Sequence, residues 1–178
     1  SAGSNYSLTL VPGTFEITKK NLTITATGID KEYDANTTAT VNLLDNRVDG
    51  DILTFGYTAS FSDKNAGIGK AVAVSSISIT GGASAGNYIL GNTTTDTSAD
   101  ITPKLLTVSF TTDANKTYNG SATAQITGRT LDGVISPEVV GVTGGSATFA
   151  DKHIGLTKTV TATGFALTDV DSGNYLIG

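Results

Sequence analysis

The chain repeats itself, and this constrains its fold more than any other feature. Ile17-Thr18-Lys19-Lys20 returns as Ile101-Thr102-Pro103-Lys104, 84 residues on, and Lys31-Glu32-Tyr33-Asp34 returns as Lys116-Thr117-Tyr118-Asn119, 85 residues on. Phe61-Ser62-Asp63-Lys64 comes back as Phe149-Ala150-Asp151-Lys152 at an offset of 88. A Gly-Asn-Tyr phrase occurs within residues 84–88 and 171–175, and in altered form within residues 2–6. Self-similarity at a fixed period marks one folding unit copied along a stack or fibre. A period near 85 in 178 residues predicts two domain-sized units. The expected boundaries are 1–16 for the tail strand of a preceding repeat, 17–100 for module one and 101–178 for module two, the last lacking its final strand.

Within each unit the apolar residues alternate with period 2, the pattern of half-buried strands, and no helical stripe stands out. Phe55, Tyr57, Ala59 and Phe61 share one face. Further on, Val72 and Val74 hold one parity and then Ile77 and Ile79 hold the other. The second copy makes the same switch, from Val160 and Ala162 to Phe165 and Leu167, which predicts a β-bulge or a strand changing sheets. Asp-Gly, Asn-Gly and Gly-Gly turns separate the runs every 8–12 residues or so. The expected fold is all-β: two tandem immunoglobulin-like β-sandwich modules in an elongated arrangement. β-Grasp-like modules with one short helix are the alternative. The joint falls near residues 100–104, where Pro103 stiffens the link. Residues 95–101 read as the last strand of module one, with no counterpart after Gly178, while residues 7–17 read as a spare strand. Strand donation between molecules, or a bare sheet edge, is the expectation at that end.

Composition removes several function classes. The chain has no cysteine, which excludes disulfides, thiolate metal sites and cysteine nucleophiles. A net charge of −5 argues against nucleic acid and anionic membrane surfaces, both of which select Lys/Arg patches. No apolar run is long enough to insert in a bilayer as a helix.

Tyr33-Asp34-Ala35-Asn36-Thr37-Thr38-Ala39, the stretch from Phe61 to Lys70, Ala85-Gly86-Asn87-Tyr88 and the closing Ile101-Thr102-Pro103-Lys104 together resemble the YDG-type repeat, an MBG-related module of large bacterial adhesins and filamentous-haemagglutinin-like surface proteins. The resemblance covers essentially the whole chain. Ala35 stands where the family has Gly, and Asn119 where it has Asp. The resemblance implies an extracellular protein, secreted or on the bacterial cell surface. The expected role is a structural stalk or spacer, outside enzymology, that projects an adhesive tip. A glycan- or matrix-binding adhesion module is the alternative. The expected partners are neighbouring repeats and a second copy through strand exchange.

Each candidate residue has a structural reading and a functional one. Tyr33, Asp34, Tyr118 and Asn119 are a ligand contact or a turn, and the turn is favoured because Asp and Asn cap their own backbone. Asn87-Tyr88 and Asn174-Tyr175 fit a tyrosine whose hydroxyl bonds back to backbone. Asp63, Lys64, Asp151 and Lys152 complete the recurring set. No cofactor is expected. Asp169, Asp171 and Asn174 are the calcium candidates, together with Asp49 and Asp51, but neither stretch has the spacing of a known calcium loop. His153 has no acid–base partner nearby in sequence, which leaves a triad unsupported. Lys31, Lys116, Lys70 and Lys158 are the lysines an isopeptide crosslink would use, against the simpler reading of strand-edge charges.

Overall fold

Alternating threonine and aliphatic side chains favour extended backbone, because β-branched residues fit a pleated, half-buried surface. The computed structural model describes residue 9 and residues 11–178. Repeat one contributes β1 (Lys20–Leu22), β2 (Ile24–Ile29), β3 (Lys31–Glu32), β4 (Thr40–Asp45), β5 (Thr54–Phe61), β6 (Gly67–Gly81), β7 (Tyr88–Leu90) and β8 (Thr95–Thr102). Repeat two contributes β9 (Lys104–Thr112), β10 (Thr123–Ala124), β11 (Ile126–Asp132), β12 (Gly141–Phe149), β13 (Val160–Thr168) and β14 (Tyr175–Ile177). The only helical elements among the described residues are two 3-10 turns, Ala85–Asn87 and Ser172–Asn174. The protein is all-β.

The two repeats share one wiring. In repeat one, β1 runs parallel to β7, with Lys20 opposite Tyr88, and β2 pairs antiparallel with β4. In repeat two the longer β9 does both jobs, parallel to β14 with Lys104 opposite Tyr175, and antiparallel to β11. Repeat one also has a four-stranded sheet of order β3-β8-β6-β5, and repeat two a three-stranded sheet of order β10-β12-β13. Sequence alternation is blind to strand direction, since side chains alternate in parallel and antiparallel ladders alike. The parallel pairs are therefore news from the structure.

β8 passes into β9 through Pro103 alone. The chain thus leaves the four-stranded sheet of repeat one and, a residue later, enters the β11-β9-β14 sheet of repeat two. Leu22 of β1, Ile24 of β2 and Val41 of β4 pack with Phe61, Val72, Val74, Ala99 and Ile101 of the β3-β8-β6-β5 sheet in a single buried cluster. That cluster continues across the link to Leu106 and Tyr175, with Val134, Ile135 and Val140 packed against it. A smaller cluster, Ala124, Ile126 and Ala147 with Phe110 and Phe165 around it, fills the far end of repeat two. The larger core therefore belongs to both repeats.

The parity switch has a local cause in each copy. Gly56 and Thr58 of β5 face Ser78 and Ser75 of β6, so Ser76 and Ile77 together face Tyr57. This is a bulge, with Ser76 at φ 54. In repeat two both strands slip together: Gly144 and Gly145 of β12 and Gly164 of β13 take positive φ while the register is kept. Residues 11–19 carry no strand, and Val11, Phe15 and Ile17 are exposed, so this part of the expected spare strand does not pack on repeat one. The altered Gly-Asn-Tyr phrase at residues 2–6, with Ser7, Leu8 and Leu10, lies outside the described residues.

Ser76 and Gly164 occupy equivalent left-handed positions, and a methyl added at Gly164 meets no atom within 4 Å. Gly164→Ala should therefore lower stability by the conformational cost alone, about 1 kcal/mol. Ser76→Gly should raise it by a similar or smaller amount. Urea denaturation of both variants checks the pair, and two unchanged midpoints would contradict this account of the switch.

Candidate functional site at the joint between the repeats

The recurring Lys-x-Tyr-Asp/Asn segment first builds its own loop. Lys31 sends its ammonium to Asp34 Oδ1 at 2.6 Å, to the Asn36 carbonyl at 2.9 Å and to the Thr38 carbonyl at 3.0 Å. The same nitrogen lies 5.5 Å from the centre of the Phe61 ring. Lys116 repeats the arrangement with the Ser121 and Thr123 carbonyls, 5.6 Å from Phe149. Asp34 and Asn119 each accept a backbone N–H two residues on, from Asn36 and Ser121. Ala35 at φ 62 and Gly120 at φ 77 make the same left-handed step. Desolvation pushes the Asp34 carboxyl up, but hydrogen bonds from Lys31 and Asn36 outweigh it and hold the group below the ordinary range. Lys70 and Lys158 likewise bind Asp63 and Asp151 in their own repeats. All four lysines considered for crosslinking are thus committed as ammonium staples.

This stapled loop aims Tyr33 at the other repeat. The Tyr33 backbone N–H is held by the Thr102 carbonyl at 2.8 Å, and its side chain is 1% exposed. Its ring meets that of Tyr175 edge to face, with centroids 5.4 Å apart and planes at 79°. Both hydroxyls converge on Glu138: Tyr33 donates to Oε1, and Tyr175 donates to Oε2 at 2.5 Å. Lys64 adds an ion pair to Oε1. Beside it, the Ala66 N–H donates to Asn174 Oδ1 at 2.9 Å, and the Asn174 amide reaches Asn65 at 3.4 Å. Two motifs of repeat one, around Tyr33 and Lys64, thereby grip two features of repeat two, Glu138 and the Asn174-Tyr175 pair.

Repeat two prepares its side of the contact. Tyr175 accepts the Ile135 N–H at 3.2 Å, while Asp171 accepts the Val139 N–H at 2.8 Å and bounds the Glu138 turn. Tyr88 does the corresponding work in repeat one, accepting the Val48 N–H at 3.0 Å and donating to Asp51. Asp51 lies 87 residues before Glu138, the offset that relates Tyr88 to Tyr175.

Desolvation pushes the Glu138 carboxyl up, yet hydrogen bonds from Lys64, Tyr175 and Tyr33 together hold it below the ordinary carboxylate range. Burial, and then the bond to Glu138, push Tyr33 up to about 12. The Lys64 ammonium is raised by its bond to Glu138 and by its neighbour Tyr33. The site therefore keeps an ionised carboxylate among three donors, the neutral Tyr33 being one of them. It acts as an electrostatic clamp.

The sequence-derived residues divide cleanly. Tyr33, Lys64, Asn174 and Tyr175 meet at the joint. Asp34, Asp63, Asn119 and Asp151 shape loops within their own repeats. Asn87, Tyr118 and Lys152 are exposed counterparts of the joint residues, and Tyr88 is buried beside Asp51. Of the calcium candidates, Asn174 Oδ1 is engaged by Ala66, Asp171 by Val139, and Asp169 takes φ 74. Asp51 receives Tyr88 and Ser84, without Asp49. His153 is exposed, and its backbone N–H donates to the Asp151 carboxylate. Glu138 itself is absent from the sequence-derived set. Its acidic counterpart Asp51 was the available signal, hidden by the change from Asp to Glu.

A family model described as the YDG domain matches residues 18–97 and again residues 102–178. No curated protein and no solved structure matches the chain.

Removing Glu138 leaves two tyrosine hydroxyls and Lys64 without their partner, so Glu138→Ala should cost about 3 kcal/mol in urea denaturation. The clamp also has a pH window. Because Glu138 is depressed, its contribution is full above its ordinary value of 4.5 and is lost as pH falls through its lower folded value. Because Tyr33 is raised, its contribution is full below 10.0 and is lost as pH rises through about 12. The gap between wild type and variant should be constant across that window and narrow outside it. An equal gap at acid pH would contradict the clamp.

Proposed function

This chain belongs to the YDG-domain family, and from that premise we propose that it serves as structural stalk or spacer repeats of a bacterial cell-surface or secreted adhesin, projecting an adhesive tip. The observation that carries this reading is how the family's own motif residues are used. Tyr33, Lys64, Asn174 and Tyr175 are turned inward onto the neighbouring repeat and away from any ligand surface. Motif residues spent on holding the neighbouring repeat suit a part whose job is length and orientation. In such arrays each repeat contacts its neighbours, and reach grows with copy number.

A shared core and a one-residue link support the same role, because they resist the swivelling expected of domains joined by flexible linkers. The acidic, threonine-rich surface suits a projecting element that stays soluble and does not adhere to its surroundings. The sandwich form of the modules belongs to the same proposal, and the all-β architecture with its strands around a common core supports it.

One observation favours the alternative, a glycan- or matrix-binding module. A cavity of about 430 Å³ opens in repeat two beside the exposed Tyr118 and His153. A glycan and extracellular-matrix array probed with the 178-residue chain separates the two. The stalk reading expects no saturable binding across the array. Saturable binding to one ligand class, abolished by Tyr118→Ala, would overturn it.

A further inference from the structure

One lysine staple is complete in repeat one and incomplete in repeat two. An ammonium carries three donors. Lys31 directs them to the Asp34 carboxylate and to the Asn36 and Thr38 carbonyls. Lys116 reaches the Ser121 and Thr123 carbonyls at 2.8 and 2.6 Å, but where Lys31 meets a carboxylate the equivalent residue is the neutral Asn119. Asn119 does half of the work of Asp34. Its Oδ1 accepts the Ser121 N–H at 3.1 Å, as Asp34 accepts the Asn36 N–H at 3.2 Å, and the ammonium goes elsewhere.

The chemistry that would convert one into the other is present in the loop. Asn119 is followed by glycine, and no other asparagine of the chain is. A glycine nitrogen, unshielded by a Cβ, can close on the side-chain carbonyl carbon of the residue before it. The turn made by Asn119 folds its amide back over the Gly120 peptide unit, and the Ser121 N–H polarises the amide carbonyl. The Gly120 N–H has no acceptor among the described residues, so the attacking nitrogen is not tied up in another bond.

Water has access to this loop. Asn119 and Gly120 are both exposed, and a methyl built on Gly120 would meet no atom within 4 Å. That access does not depend on what adjoins repeat two. The side chain of Asp34, the counterpart of Asn119, is 47% exposed although repeat two is docked beside its loop. Ala35 takes the place of Gly120 there, with φ 62 against 77, so the backbone step itself tolerates a side chain.

We propose that Asn119-Gly120 is a self-modifying site, at which the asparagine becomes an aspartate that gives Lys116 the carboxylate Lys31 already holds. The Gly120 nitrogen bonds to Asn119 Cγ, the bond from Cγ to the amide nitrogen breaks, and ammonia leaves with the glycine's proton. Water then opens the five-membered imide. Opening at the bond from Cγ to nitrogen gives aspartate, which passes a proton to solvent. Opening at the other carbonyl gives isoaspartate, whose backbone is a methylene longer. The net change is a gain of water and a loss of ammonia, and it consumes no oxidant, reductant or metal. The new carboxylate can keep the Ser121 N–H and take the Lys116 ammonium, as one oxygen of Asp34 serves both Asn36 and Lys31. The chemistry is the same wherever the protein acts.

Peptide mapping of the 178-residue chain, aged in warm and mildly alkaline buffer, tests the site. Residues 117–129 form one tryptic peptide. It should gain the difference in mass between water and ammonia, placed on Asn119 by fragment ions, while Asn65 and Asn115 stay unchanged. Gly120→Ala should slow the change several-fold. Asn119→Asp, the product made genetically, should melt roughly 1–2 °C above wild type. The same substitution should bring no gain in a Lys116→Met background. An Asn119 still intact when the free synthetic peptide of the same sequence has turned over would overturn the proposal. So would an Asn119→Asp chain that melts no higher than wild type.

Discussion

A single buried carboxylate organises this molecule. Glu138 reaches out of a turn in repeat two and is met by the hydroxyls of Tyr33 and Tyr175 and by the ammonium of Lys64. An ionised group of this kind is costly to bury unless each of its oxygens is satisfied. Here Oε1 takes a hydroxyl and an ion pair, and Oε2 takes a second hydroxyl. The cost of burying the charge turns into a demand for geometry: both repeats must be present, in one orientation, for the carboxylate to be solvated by protein.

The rest of the structure serves that demand. The lysine staples fix the loops from which Tyr33 and Tyr118 project. The Asp171 and Tyr175 contacts set the Glu138 turn before repeat one arrives. The apolar cluster from Leu22 to Tyr175 supplies dry surroundings in which these hydrogen bonds are strong. Pro103, between two strands, leaves the link little freedom of its own. Repeat one thus carries one half of the joint, Tyr33 and Lys64, and repeat two the other, Glu138, Asn174 and Tyr175.

Much of this was legible in the sequence, and the limits have physical reasons. The repeat is visible in the sequence because every copy must solve the same folding problem, and the family model matches twice, at residues 18–97 and 102–178. The parity switch between Val74 and Ile77 reported a real irregularity, since a strand that keeps its core side through a bulge must change phase. Strand direction was not legible, because alternation is identical in parallel and antiparallel ladders. Nor was Glu138. It sits 105 residues from Tyr33, its counterpart is a different residue type, and nothing in a local pattern announces a contact between distant loops. Turn chemistry makes each recurring tyrosine an anchor of its own module, whereas Tyr33 anchors the next one.

The central claim is that the two repeats form one body held at Glu138. Residual dipolar couplings measured on the 178-residue chain test this most directly. The account predicts that the amides of residues 20–102 and 104–177 fit a single alignment tensor with the orientation described here. Two tensors of different magnitude, one for each repeat, would show that the repeats reorient independently and would contradict it.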